Sequence, residues 1–392
     1  MRDTYNRYRA DRAIKNRAYL TSQDICSITY RAMDTTQKQI VEYVWLDGKQ
    51  KLRSKAKVFT HAICTETKPS SSDPCYVSKI PTWNYDGSST YQAEGHDSEI
   101  IIVPRYVVSC PFRKSHHLIV LCDCYDKNGE PIESNYRAKA VEIFDTSFDS
   151  KDGIVKDLHP WYGIEQEFVL RDLKTSAVLG FMPNNGPYPT EQGQYYCSVG
   201  ADNAFGRKII EKALDHMLFA GLNVSGINAE VAPGQWEYQI GPTEGINAAD
   251  QLYVSRYILE RTAEEFGVVI DYHPKPMGDK WNGSGAHVNF STHNMRIPHG
   301  LRFIEEAIQK LETKHTEHMA CYGEHNKLRM TGIHETASYD KFVHGRANRG
   351  ASVRIGNHVY KDGSGYFEDR RPASNMEPYQ VTSMIYKTCC LE

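Results

Sequence analysis

No run of eighteen or more apolar residues occurs in this 392-residue chain, so no segment reads as a membrane-spanning helix. Charge of neither sign predominates: 46 Lys and Arg stand against 49 Asp and Glu, which leaves no global basic field for nucleic acid. Ten cysteines are too sparse at this length for a disulfide framework. Cys122-x-Cys124 and Cys389-Cys390 lack the matching second half of a zinc site, and reduced, structural thiols are expected. Internal repeats and low-complexity tracts are missing. So are the Walker A phosphate loop and the kinase catalytic-loop set, which means that any nucleotide site must belong to another fold. Met1 to Leu20 is rich in Arg, Tyr and Asn without an apolar centre, which argues against a secretory signal, and Asp3 and Asp11 argue against a mitochondrial presequence. The expectation is a solvated leading helix or disordered arm on a cytoplasmic protein.

The length suffices for two or three domains. Residues 1–38 form a charged and polar arm. From Val41 the pattern changes: Tyr43 to Gly48 reads as a strand entering a turn, with Lys57 and Val58 on its return. Thr65 to Pro81 reads as a loop, and Asp86 to Ser89 as a loop tip after the aromatic pair Trp83 and Tyr85. Ile100–Val108 and Leu118–Cys124 are further strands, giving a small sheet-rich domain over 39–135. Asn128-Gly129-Glu130-Pro131 punctuates the chain before a larger domain over 150–392. That domain alternates strands with helices expected at Phe205–Leu222, Ala248–Phe266 and Gly300–Tyr322. The first is amphipathic, with Ile210, Leu214, Met217 and Leu218 near one face. The fold class is α+β.

Chemistry enters with Glu165-Gln166-Glu167. Carboxylates at i and i+2 on a strand point to one face, where like charges repel unless a cation lies beside them. A lone Glu-x-Glu is commonplace on a solvated strand. Four further segments, however, show the same alternation. In Gln235–Ile240, Glu237 and Gln239 oppose Trp236, Tyr238 and Ile240. In Ala286–Ser291 the polar set is His287, Asn289 and Ser291; in Ala351–Ile355 it is Ser352 and Arg354; in Tyr366–Arg371 it is Tyr366, Glu368 and Arg370. Glu230 lies upstream of Pro233-Gly234, across which strand parity cannot be carried. Half-exposed antiparallel strands with a wetted polar side explain any one of these segments. A lone His287 is more often a packed core histidine than a ligand.

Taken together the set is chemically specific. Glu165, Glu167, Glu230, Glu237 and Glu368 cannot share a cleft as anions without cations. Oxygen donors with one imidazole suit Mg²⁺ or Mn²⁺, and charge balance asks for more than one ion. Arg329, Arg349, Arg354 and Arg370 then read as binders of carboxylate or phosphate. Metal ligands and arginines around one cavity is the layout of phosphoryl transfer.

These segments closely resemble the glutamine synthetases of the eukaryotic type. The matching stretches are Glu42–Gly48, Leu52–Lys55, Trp83–Thr90, Gly163–Glu167, Val199–Asp202, Asn228–Pro242, Trp281–Thr292, Gly332–Thr336, Asn348–Ile355 and Tyr366–Pro372, in family order across residues 40–390. The resemblance implies an N-terminal β-grasp domain followed by a larger catalytic domain with a curved antiparallel sheet and flanking helices. It implies ATP-dependent ligation of ammonia to L-glutamate through γ-glutamyl phosphate, with two or three Mg²⁺ or Mn²⁺ ions per site. Carried over by motif, Glu167, Glu230 and Glu237 would hold one ion, and Glu165, His287 and Glu368 a second. Arg329, Arg370, Asn282 and Gly283 would bind glutamate. ATP would meet Glu165, Glu237, Asn289, Phe290, Ser291, Tyr366, Arg349 and Arg354. Asp86, Glu335 and Arg349 would be catalytic, with Asp86 reaching a neighbouring subunit's site in a ring of two stacked pentamers. The arm and the Thr65–Pro81 loop are longer than a minimal member needs. Two rivals remain: a catalytically silent relative acting as a structural ring protein, and a ligase that joins glutamate to another amine.

Overall fold

The computed structural model describes residues 38–63, 74–113, 116–146, 158–181 and 192–392. The N-terminal arm up to residue 37 and the first part of the Thr65–Pro81 loop lie outside them; the rest of that loop contains a short helix, Pro74–Val77.

The first sheet comprises β1 (Gln39–Leu46), β2 (Leu52–Phe59), β3 (Trp83–Asp86), β4 (Glu99–Ser109) and β5 (Leu118–Tyr125), in the order β2-β1-β5-β4-β3. β1 and β5 run parallel at its centre, and the remaining pairs are antiparallel. Their β-branched and aromatic residues bury Val41, Tyr43, Ile102 and Val120 on one side. The β1–β2 turn is held by Asp47, whose carboxylate accepts the backbone N–H groups of Lys49 (2.8 Å) and Lys51 (2.9 Å). β3 is an edge strand, and Asp86 stands at its outer end.

The second sheet comprises β6 (Trp161–Asp172), β7 (Val224–Ala229), β8 (Gln235–Glu244), β9 (Val268–Asp271), β10 (Ala286–Ser291), β11 (His344–Arg346), β12 (Val353–Ile355) and β13 (Phe367–Asp369). Its order is β11-β12-β13-β10-β6-β8-β7, with β9 on the end of β6. All pairs are antiparallel except β11 with β12, the one departure from the expected antiparallel sheet. On β6 the even-numbered residues Tyr162, Ile164 and Phe168 pack into the main core, so Glu165 and Glu167 fall on the opposite face. The expected strands at Ala351 and Tyr366 start later, at Val353 and Phe367.

Helices α1 (Tyr136–Asp145), α2 (Arg207–Ala220), α3 (Asn247–Glu264), α4 (Leu301–Thr313), α5 (His315–Cys321) and α6 (Pro378–Tyr386) accompany these sheets. On α2 the buried stripe is Ile209, Ile210, Ala213, Met217 and Ala220; Leu218 points outward, half exposed, because the 3.6-residue period turns it past the stripe. The single helix expected over Gly300–Tyr322 is two. The backbone leaves helical geometry at Lys314, and α5 then buries His315, His318 and Met319. β1 is tied to the larger domain through Glu42, whose carboxylate accepts from Tyr257 (2.5 Å) and Arg261 (3.0 Å) of α3. Burial works against the Glu42 charge, but Tyr257, Arg113 and Arg261 outweigh it and hold its pKa below the usual carboxylate range. The seven described cysteines are unpaired, and among the described residues no helix is long and apolar enough to cross a membrane.

Candidate active site

Strand register assembles the site. Across the second sheet Arg354, Glu368 and Asn289 are adjacent on β12, β13 and β10. His287, Glu165 and Gln239 are adjacent on β10, β6 and β8, and Glu167, Glu237 and Asn228 on β6, β8 and β7. Opposed residues share a face, so the alternations seen separately in the chain become one polar surface. Glu230 joins it because β7 and β8 form a hairpin: its N–H donates to the Gln235 carbonyl across the Pro233-Gly234 turn.

Two acidic groups result. Glu165, His287 and Glu368 each offer a ligand atom, and these atoms lie within 4.8 Å of one another. His287 Nδ1 is 3.3 Å from Glu165 Oε2 and 3.5 Å from Glu368 Oε1. Burial, followed by nearby Arg370, pushes the imidazole pKa far below its usual value, so the ring is neutral, the form in which it ligates a metal. The second group is Glu167, Glu230 and Glu237. Burial pushes Glu230 up to about 7, with repulsion from Glu335 and Glu165 adding to it, and Glu237 up to about 8, with repulsion from Glu165 and Glu230 adding to it; burial and then Glu230 and Glu237 raise Glu167. Carboxylates forced together out of water are what a divalent cation relieves, and the donor set is oxygen with one nitrogen.

Arginines close the cavity, which measures about 340 Å³, room for a small-molecule ligand. Arg354 and Arg370 both pair with Glu368, the latter at 2.7 Å. Arg329 is buried, with Nε on Asn326 Oδ1 (3.0 Å) and Nη2 on the Arg371 carbonyl (2.6 Å). Desolvation lowers its pKa to about 10, so it stays charged at neutral pH. Gly283 packs directly on Arg329, where any Cβ would collide with its stem. Three polar atoms of the cavity wall are buried with no hydrogen-bond partner among the described residues: Asn282 Oδ1, Gln235 Oε1 and Arg370 Nε. Such groups call for a polar partner.

Glu335 lies at the rim, 3.5 Å from Arg349. It and His334 both have φ near +60°, an uncommon conformation for residues other than glycine. Asn289 reaches Glu165 Oε1 at 2.8 Å. Tyr366 is exposed near Glu165 and Glu368. The Phe290 ring is fully buried against Tyr162 and Phe367. Ser291 is buried and accepts from Arg296 (2.9 Å). Asp86 is not brought to this cavity within the chain. Its exposed carboxylate accepts from Ser88 and Ser89, and hydrogen bonding led by Ser88 and then Ser98 lowers its pKa to about 2. Sequence reasoning missed Asn228, Gln235, Tyr196 and His334 among the lining residues. Asn228 was within reach, since it stands two residues before Glu230, near the end of β7.

Comparison with known proteins agrees with this geometry. Residues 37–127 match the family model described as the glutamine synthetase β-Grasp domain, and residues 151–388 match that of the glutamine synthetase catalytic domain. The chain belongs to the glutamine synthetase family. A glutamine synthetase cytosolic isozyme of Daucus carota is 52% identical over 358 residues, covering 91% of this chain and 96% of that protein. A putative glutamine synthetase of Acanthamoeba polyphaga mimivirus is 51% identical, over 90% and 94% of the two chains. A root isozyme of glutamine synthetase from Zea mays is 50% identical, over 91% and 95%. Glutamine synthetases are glutamate–ammonia ligases, dependent on ATP and divalent metals, and the β-grasp and catalytic domains of this chain are theirs.

Proposed function

We propose that this site ligates ammonia to L-glutamate in two steps. The glutamate γ-carboxylate attacks the γ-phosphorus of ATP, giving γ-glutamyl phosphate and ADP; ammonia then attacks the acyl carbon and releases phosphate. The observation that carries this reading is the meeting of Glu165, His287 and Glu368 within 4.8 Å, beside Arg354 and Arg370.

Arg329 and Arg370 would hold the glutamate carboxylates in guanidinium forks, and Asn282 Oδ1, which has no partner among the described residues, would accept from the substrate's amino group. Glu165, His287 and Glu368 on one side, and Glu167, Glu230 and Glu237 on the other, would hold two or three Mg²⁺ or Mn²⁺ ions. Bound there, these ions would offset the carboxylate charge and that of the transferring phosphate. Arg349 and Arg354 would stabilise phosphate oxygens, with Glu237, Asn289, Ser291, Tyr366 and the Phe290 backbone toward the nucleotide. Closure of the Glu335 segment would keep water from the acyl phosphate. Asp86 would take the ammonium proton at a neighbouring chain's site, within a ring of two stacked pentamers. The relatives named cytosolic support a cytoplasmic location.

An ADP-release assay with glutamate tests this, run with ammonia and then with a panel of amines. Turnover with ammonia alone is expected. Preference for a larger amine would indicate a different ligase, and no turnover with any amine a structural ring protein.

A further inference from the structure

Among the described residues the Arg329 guanidinium meets one side chain, that of Asn326, and both residues are buried. Asn326 opens a single 3-10 turn, Asn326–Leu328, beyond the end of α5. The turn brings its amide against Arg329: Oδ1 accepts from Arg329 Nε (3.0 Å), and the Asn326 backbone carbonyl accepts the Arg329 N–H (3.0 Å). The other end of the amide is committed as well, Nδ2 donating to the carbonyls of Arg371 (2.8 Å) and Tyr322 (3.3 Å). Exchanging Oδ1 with Nδ2 would set donor against donor at Arg329 and oxygen against oxygen at Arg371, so the amide has one orientation. Arg329 Nη2 donates to the carbonyls of Arg370 (3.0 Å), Arg371 (2.6 Å) and Pro372 (3.2 Å). Nη1 makes none of these bonds. It is the nitrogen beside Gly285 on the wall of the active-site cavity, where an added Cβ would come within 3.1 Å of it.

All four acceptors are neutral oxygens. A carboxylate in their place would pair with the buried guanidinium and offset the charge that a substrate carboxylate meets. Amide and carbonyl dipoles fix the plane of the guanidinium and leave that charge standing. Glu167 and Asp369 act on it through space, and both are engaged elsewhere: Glu167 Oε2 accepts the Gly285 N–H (3.0 Å), and Asp369 is held by Arg371 (2.7 Å). Asn326 itself is not part of the cavity wall. We propose that Asn326 is a positioning residue for the glutamate substrate: its neutral amide holds Arg329 with Nη1 toward the cavity and leaves the guanidinium charge to the substrate carboxylate. The proposal rests on the reading of Arg329 as a glutamate-binding residue and adds to it what aims that residue and why the aiming group is uncharged.

Steady-state kinetics of the full-length protein with glutamate, ATP, ammonia and Mg²⁺ tests it. Asn326→Ala should raise the glutamate KM roughly tenfold, the equivalent of one charge-assisted hydrogen bond, with the ATP KM unchanged. Asn326→Asp keeps an acceptor for Nε but adds a charge, so it should raise the glutamate KM at least as much, again without moving that of ATP. Both variants lose the Nδ2 bonds, so the comparison between them isolates the charge. Either variant decides by itself, which covers the case in which the other fails to fold. Equal rises in the two KM values mark a merely structural role and overturn the proposal, as does a wild-type glutamate KM in a folded variant, or an Asp variant nearer to wild type than the Ala variant. Arg329→Lys separates the proposal from the reading beneath it. An unchanged glutamate KM there would overturn both, whereas a raised one beside wild-type values in the Asn326 variants would overturn this proposal alone.

Discussion

Arg371 and Asp369 form a two-pronged ion pair, Nε to Oδ1 at 2.8 Å and Nη2 to Oδ2 at 2.7 Å, with neither side chain reaching solvent. They alternate along the chain with Glu368 and Arg370, so the face of β13 opposite the site is anchored by this pair. Tyr322 also donates to Asp369 (2.8 Å) and His315 Nδ1 lies 3.2 Å from Arg371. Removing one member leaves a buried, uncompensated charge. Arg371→Met should destabilise the protein by roughly 3–5 kcal/mol. Urea unfolding checks it; a loss within experimental error would show that the anchor is dispensable.

Glu368 sits between two guanidinium groups and the neutral His287. Glu368→Gln keeps its shape and removes its charge. Turnover should fall by about 10²–10³, with one bound Mn²⁺ lost by electron paramagnetic resonance and the circular dichroism spectrum unchanged. Retained turnover with full Mn²⁺ stoichiometry would refute its assigned role.

Crowded Glu167, Glu230 and Glu237 should make the protein without metal less stable than the same protein with it. Saturating Mn²⁺ at about a hundred times its dissociation constant contributes about 2.7 kcal/mol. Glu237→Gln relieves the repulsion, so the metal-free melting temperature should rise while the shift on adding Mn²⁺ shrinks. A fall in the first, or an undiminished second, contradicts the cation reading of this group.

Asp86 and Glu368 lie on different sheets, and Asp86 is not part of the cavity wall in its own chain. If it serves a neighbour, Asp86→Ala and Glu368→Gln subunits, each impaired alone, should complement when mixed in a ring. Random mixing restores both groups at roughly a quarter of the sites. Activity no greater than the parents' after dissociation and reassembly would mean that Asp86 does not act across subunits.

His318 is fully buried, with its pKa lowered to about 3 by burial and then by Arg371. The folded protein therefore refuses a proton that the unfolded chain accepts below about 6.5. The stability this represents is intact at neutral pH and is lost as pH falls from about 6.5 toward 3, roughly 2 kcal/mol by pH 5. His318→Gln should flatten that part of the stability profile, measured by urea midpoints at pH 7 and pH 5. An unchanged slope would assign the acid sensitivity elsewhere.

Most of the polar face was readable because strands have a period of two: Glu165 with Glu167, Glu237 with Gln239 and His287 with Asn289 follow from alternation alone. The resemblance extended that reading across residues 40–390. Glu230 was harder, since Pro233-Gly234 hides the hairpin that turns it toward Glu237. Lys314 carries no Gly or Pro to announce the break between α4 and α5, and the buried demands of His315 and His318 show only in three dimensions.

Local order thus wrote which residues face together on each strand, and with that the identity of the metal-type donors, because side-chain direction depends on neighbours one and two positions away. Which strands stand beside one another was a matter of the assembled core: Arg354 meets Glu368, and His287 meets Glu165, through hydrogen-bonded register between segments far apart in the chain. Hydrophobic burial behind the sheet holds that register, because a one-residue slip would turn Tyr162, Ile164 and Phe168 into the cavity and the glutamates into the core.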